Sequence, residues 1–90
     1  MVSLLSEKYY LVTSRDVQLV TANWQRRYSL NNVHATPYSI SNGVGDIKIF
    51  YEAYNPEFID YYEMVWEKVA NPEKIASFIN ALASRRINGS

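Results

Sequence analysis

Hydrophobic and polar positions along the chain change period several times, and each change marks a predicted element. Over Lys8–Thr13, KYYLVT, both parities are largely apolar, which reads as a first strand central in a sheet. Thr13 and Ser14 then offer an N-cap with Asp16 in the first turn. From Arg15 the spacing becomes helical, with Val17, Val20, Thr21, Trp24 and Tyr28 on one face and Leu19 and Arg26 away from it. A rival reading runs one long helix from Ser3 to Leu30. It conflicts with the weak helix propensity of Tyr, Val and Thr at 9–13 and with a cap in mid-run.

Asn31 and Asn32 mark a stop. Between Val33 and Ser41 the alternation of Tyr38 and Ile40 with Ser39 and Ser41 predicts a strand, and Pro37 places it at a sheet edge or bend. Asn42-Gly43-Val44-Gly45 tolerates positive φ and predicts a hairpin turn into a strand over 46–54. There Ile47, Ile49 and Tyr51 alternate with Lys48, Phe50 and Glu52.

Asn55-Pro56-Glu57 has the composition of a helix start: a cap, a proline suited to the first helical position and an acid at the positive end of the dipole. Behind it, Phe58, Ile59, Tyr61, Tyr62, Val65, Trp66 and Val69 fall on one helical arc and Asp60, Glu63 and Glu67 on the other. This predicts a helix from Pro56 to Val69 lying on a sheet or between two neighbours. Asn71-Pro72-Glu73 repeats the corner and starts a last helix with Ile75, Ile79, Leu82, Ala83 and Arg86 along one side and Phe78 close by. The predicted order is β-α-β-β-α-α, an α+β fold in which an antiparallel hairpin joins the first strand and helices pack on one face. Residues 1–90 make one domain, with 1–7 and 88–90 expected to fray.

Composition adds three things. The 14% aromatic share, with eight tyrosines, predicts rings at core edges and interfaces, and more than half of them lie between Phe50 and Trp66. Formal net charge is zero, which removes strong electrostatic attraction to nucleic acid or anionic membrane. The charge is nevertheless segregated: residues 46–73 carry seven acids and two bases, 2 − 7 = −5, and the rest of the chain carries +5. There is no cysteine, hence no disulfide framework and no thiolate chemistry. MVSLLSEK lacks the basic and apolar regions of a secretory signal, and no apolar run approaches a membrane span. A cytoplasmic location is expected, and the sequon Asn88-Gly89-Ser90 is read as chance.

Catalytic chemistry is hard to nominate. His34 is the sole histidine and has no metal-ligand spacing around it. Gly43-Val44-Gly45 lies between two strands, where a phosphate loop would lie between strand and helix. Asp60 and Glu63 belong to a regular polar face, without the close partner that separates catalytic pKa values. The expectation is therefore no enzyme, no cofactor and no metal. A protein-interaction or assembly role remains, with a second copy or a larger protein as partner. It rests on Tyr54, Tyr61 and Trp66 as exposed aromatics, on the acids Asp60, Glu63 and Glu67, and on an open sheet edge. Small, cysteine-free, tyrosine-rich domains of this kind are common among viral accessory and assembly proteins. The alternative is nucleic-acid binding through Arg26, Arg27, Arg85 and Arg86 at helix ends, with tyrosines stacking on bases.

Overall fold

The computed structural model describes residues 8–54, 57 and 59–88. Six strands precede a single helix: β1 (Lys8–Val12), β2 (Asp16–Thr21), β3 (Gln25–Ser29), a 3₁₀ turn (Leu30–Asn32), β4 (Val33–Ser41), β5 (Val44–Tyr54), β6 (Ile59–Ala70) and α1 (Pro72–Asn88). They form two antiparallel three-stranded sheets, in the orders β1-β2-β3 and β4-β5-β6. The class is mixed, as expected, but two of the three predicted helices are strands.

The helix predicted from Arg15 to Leu30 is the hairpin β2–β3. Its buried residues, Val17, Leu19 and Tyr28, follow strand alternation, and Val17 and Tyr28 face each other across the pair. The TSRD stretch read as a helix cap is the β1–β2 turn. Thr13 Oγ1 accepts from the amides of Arg15 and Asp16 at 3.0 Å each, and Thr13 N donates to Asp16 O at 2.9 Å. The β2–β3 turn repeats the device: Thr21 Oγ1 accepts from Asn23 N at 3.3 Å and Trp24 N at 3.1 Å. A hydroxyl satisfying two forward amides serves a turn as readily as a helix start. The long helix from Ser3 falls with the same observation.

The helix predicted from Pro56 to Val69 is, over its described part, β6, paired along β5 from Tyr54↔Ile59 to Val44↔Ala70. Tyr, Val and Trp dominate this segment and favour a pleated surface, and β5 needs a partner on its second side. Asn55 and Pro56, the predicted corner, lie outside the described residues. The second corner does start a helix: Pro72 is the first residue of α1, and Asn71 O accepts from Ile75 N at 3.1 Å. The 33–41 and 46–54 strands and their hairpin stand as expected, with Asn42 (φ 55°) and Gly43 (φ 77°) supplying the two positive φ values of a tight hairpin turn.

β1 does not join that hairpin, and it is an edge strand, not a central one. Its sheet packs face to face on the other. Tyr10 stacks on Trp66 (ring centroids 5.0 Å apart) and Tyr28 on Tyr51 (5.1 Å). Val17 and Leu19 meet Ile47, Ile49 and Met64 in the shared core. Helix α1 closes the core along β4 with Ala76 and Ile79, where the sequence predicted helices covering a sheet face.

Candidate functional site

A two-sheet sandwich has four strand edges, and each presents unpaired backbone groups unless something covers them. The β4 edge is covered by α1 and occupied at Ala35. Ala35 N donates to Asn80 Oδ1 and Asn80 Nδ2 donates to Ala35 O, both at 2.8 Å, so one amide side chain of α1 imitates a neighbouring strand. Since Ala35 directs both groups outward, Pro37, two residues on, also faces its nitrogen outward, where a missing N–H costs no ladder bond. The predicted edge position of the Pro37 strand is therefore correct, and Asn80 occupies that edge at Ala35.

The β1 and β3 edges are short, five residues each, and β3 carries the exposed Gln25, Arg26 and Arg27. Both edges are short and β3 is also charged, and either property resists pairing.

β6 differs, being twelve residues long. With Ala35 outward, Ile49 directs its polar groups toward β6 and bonds with Met64, so Tyr62, Met64 and Trp66 pair inward. Alternation then leaves the backbone groups of Ile59, Tyr61, Glu63 and Val65 on the outer edge. Beyond Val65 the edge closes. Two residues of β6, Glu67 and Lys68, oppose the single Asp46 in a bulge, with Lys68 at φ 55° and its amide donating to Asp46 Oδ1 at 3.1 Å. There Glu67 N donates to the Tyr10 hydroxyl at 2.8 Å and that hydroxyl donates to Glu67 O at 3.3 Å. Among the described residues, no backbone partner meets the edge from Ile59 to Val65.

Tyr62 sits at the middle of this open stretch. It shares the inner face with Met64 and Trp66 but is 48% exposed, ending a run of rings from Tyr28 through Tyr51 (Tyr51–Tyr62 centroids 6.3 Å). A cleft of about 460 Å³ adjoins Tyr51, lined also by Arg15, Asp16, Arg27 and Ser29. Another of about 300 Å³ lies between His34, Phe50, Tyr51 and Glu52. In the first, burial pushes the Asp16 carboxyl up. Hydrogen bonds from Gln18 (2.9 Å) and Thr13 (2.8 Å), with the charges of Arg27 and Arg15, outweigh that and hold it below the ordinary 3.8.

The expected interaction residues are dispersed. Trp66 is 2% exposed, stacked on Tyr10 with its indole N–H toward Met64 Sδ at 3.2 Å, so it belongs to the core and not to an exposed surface. Glu67 pairs with Lys8 at 3.1 Å. Asp60, Tyr61 and Glu63 fall within the open stretch, and Tyr54 lies opposite Ile59. Strand geometry gives Asp60 and Glu63 opposite parity and removes the acidic helix face. Arg26 and Arg27 end no helix: as successive strand residues they take opposite faces, Arg26 over the Trp24 ring (5.8 Å) and Arg27 beside Asp16 (4.0 Å). Arg85 is exposed near the end of α1, and Arg86 follows it in the same helix. His34 is exposed opposite Phe50; of Gly43-Val44-Gly45, Gly43 lies in the hairpin turn and Val44 and Gly45 begin β5. Sequence reasoning missed Tyr10, Asn80 and Tyr62 in these roles, because each acts across the sandwich or at an edge that periodicity does not reveal.

No cluster of three metal-ligating side chains occurs among the described residues, and no described helix is long and apolar enough to cross a membrane. Comparisons of the chain with protein-family models, curated proteins and solved structures return no match.

Proposed function

We propose that this chain is a non-catalytic protein-interaction module, working in the cytoplasm, that takes up an extended strand along β6. The observation that supports it is the contrast between edges: β4 is capped by Asn80, β1 and β3 are short, and β6 offers an open run ending at a bulge. Strand addition draws affinity from main-chain hydrogen bonds and specificity from side chains at alternate positions. Here the alternate positions would be read by Tyr62 on one face and by Glu63 and Val65 on the other.

The test is a photo-reactive residue placed at position 63 in the full chain, irradiated in the cells that normally make it. Adducts should form at 63 and not at Thr36, an exposed position on the covered β4 strand. Equal labelling at both positions would overturn the reading. Nucleic-acid binding stays as the second reading because Arg15, Arg27 and Tyr51 line one cleft. It predicts affinity for single strands that falls steeply with salt and weakens when Arg15 and Arg27 are replaced.

A further inference from the structure

Resting on the strand-addition reading, we infer that the strand taken up by β6 is the β6 of a second copy, antiparallel, with the two-fold axis passing through Tyr62. The argument starts from the ends of the open stretch. It begins at Ile59, the first residue of the strand, and stops at Val65, before the bulge that Tyr10 plugs. Its midpoint is Tyr62. Two copies related by a two-fold axis there use the whole open edge of each, and any other axis leaves outward groups unpaired at one end.

Hydrogen-bond parity restricts the choice further. The outward residues are odd-numbered, so odd must meet odd across the interface. With the axis at Tyr62, Ile59 meets Val65 of the other copy and Tyr61 meets Glu63, in about eight backbone hydrogen bonds. Asp60 meets Met64, and no acid faces an acid. Moving the axis by one residue to Glu63 sets the two Glu63 side chains directly opposite each other, an unfavourable like-charge pair. Moving it to Tyr61 replaces the apolar Ile59–Val65 match by Ile59 against Glu63. A charged side chain on an edge ordinarily discourages pairing, but in the Tyr62-centred register Glu63 faces a tyrosine.

The inner face is consistent with the same axis. Tyr62 ends the run Tyr28–Tyr51–Tyr62 half exposed. Across the axis it would lie against its own counterpart, joining the two runs and shielding both rings. The product is a six-stranded sheet, β4-β5-β6-β6-β5-β4, whose two outermost edges are the ones covered by α1 and occupied at Ala35 by Asn80. Assembly therefore closes at two copies. The chain as a whole is neutral, so whole copies do not repel at long range. The −5 carried by residues 46–73, which include β6, opposes the pairing locally and makes it stronger at higher salt.

The experiment uses the absence of native cysteine. Facing residues at the axis form a non-hydrogen-bonded pair with Cα atoms about 4.5 Å apart, within disulfide reach. The two copies of residue 63 would be about 8–9 Å apart, beyond it. Tyr62→Cys should form a covalent dimer under mild oxidation, and Tyr61→Cys and Glu63→Cys at least roughly tenfold more slowly. Unmodified protein should sediment as a dimer at about 100 µM, and Glu63→Pro, whose lost N–H points out of the β5–β6 ladder, as a monomer. A monomeric unmodified chain at about 500 µM would overturn the inference, and so would preferential cross-linking through position 61 or 63. Photo-adducts at 63 to a different protein, with a monomeric chain, would leave strand addition standing and remove the second copy. No adducts and no dimer would remove both.

Discussion

Removing the Asn80 side chain tests how the β4 edge is held. Asn80→Ala deletes the acceptor of the Ala35 amide and the donor to the Ala35 carbonyl, both 2.8 Å bonds. A protein hydrogen bond contributes about 1 kcal/mol net, and a buried group left unpaired costs about 1–3 kcal/mol. Ala35 is buried, so two lost bonds place the destabilisation between about 2 and 4 kcal/mol. For a domain of this size each kcal/mol lowers Tm by roughly 4–8 °C, giving a drop of roughly 8–32 °C. Guanidinium unfolding followed by tryptophan fluorescence and circular dichroism measures it, with an unchanged m-value expected. Asn80→Asp keeps the acceptor but sets a carboxylate against the Ala35 carbonyl. It should be at least as damaging at neutral pH and recover in acid, where the protonated group can donate again. A loss under about 0.5 kcal/mol for Asn80→Ala would refute the reasoning, and so would an Asp variant whose deficit ignores pH.

Further outcomes follow from the same geometry. Tyr10→Phe keeps the stack on Trp66 but loses the hydroxyl between Glu67 N and O, and calorimetry should show a loss of about 1 kcal/mol; Tyr10→Ala should cost several-fold more. Asp16 has a lowered folded pKa, so its contribution is fully present above the ordinary 3.8 and is lost as pH falls through the folded value. Asp16→Asn should therefore flatten the acid limb of a stability–pH curve, and an unaltered limb would exclude the Thr13–Gln18–Arg27 account. Gly45→Ala brings a Cβ to 3.0 Å from Ile40 Cα and Tyr38 O, both backbone atoms; equilibrium unfolding should register a loss of about 1–3 kcal/mol. Lys8→Ala breaks an exposed ion pair with Glu67 and should shift stability by less than about 1 kcal/mol.

The legible parts of the fold were those with local chemistry of their own. Asn42-Gly43 supplied positive φ, Pro72 suited a helix start, and Ile47 and Ile49 alternated cleanly. The misread parts lacked a local signal that separates strand from helix, for two reasons. The turns at Thr13–Asp16 and Thr21–Trp24 contain no glycine and no positive φ, so the hairpins of the first sheet lacked the usual signal. In β6, Tyr61-Tyr62 and Val65-Trp66 are apolar at both strand parities and also at helical spacing, and only pairing with β5 decides between them. The candidate site was half legible. Tyr61 and Glu63 lay in the right stretch for the wrong reason, whereas Trp66 was drawn into the core by Tyr10, a contact between residues far apart in sequence.

The central claim, an interaction edge along β6 from Ile59 to Val65, is tested most directly by residue-resolved amide hydrogen exchange. The amides of Tyr61, Glu63 and Val65 point outward and those of Tyr62 and Met64 into the β5 ladder. In dilute protein the first three should exchange quickly and the last two slowly. On raising the concentration about a hundredfold, the outward three should become protected while the inward two stay as they were. Outward amides that exchange equally fast at both concentrations would contradict self-pairing, and outward amides already protected in the dilute monomer would contradict the open edge itself.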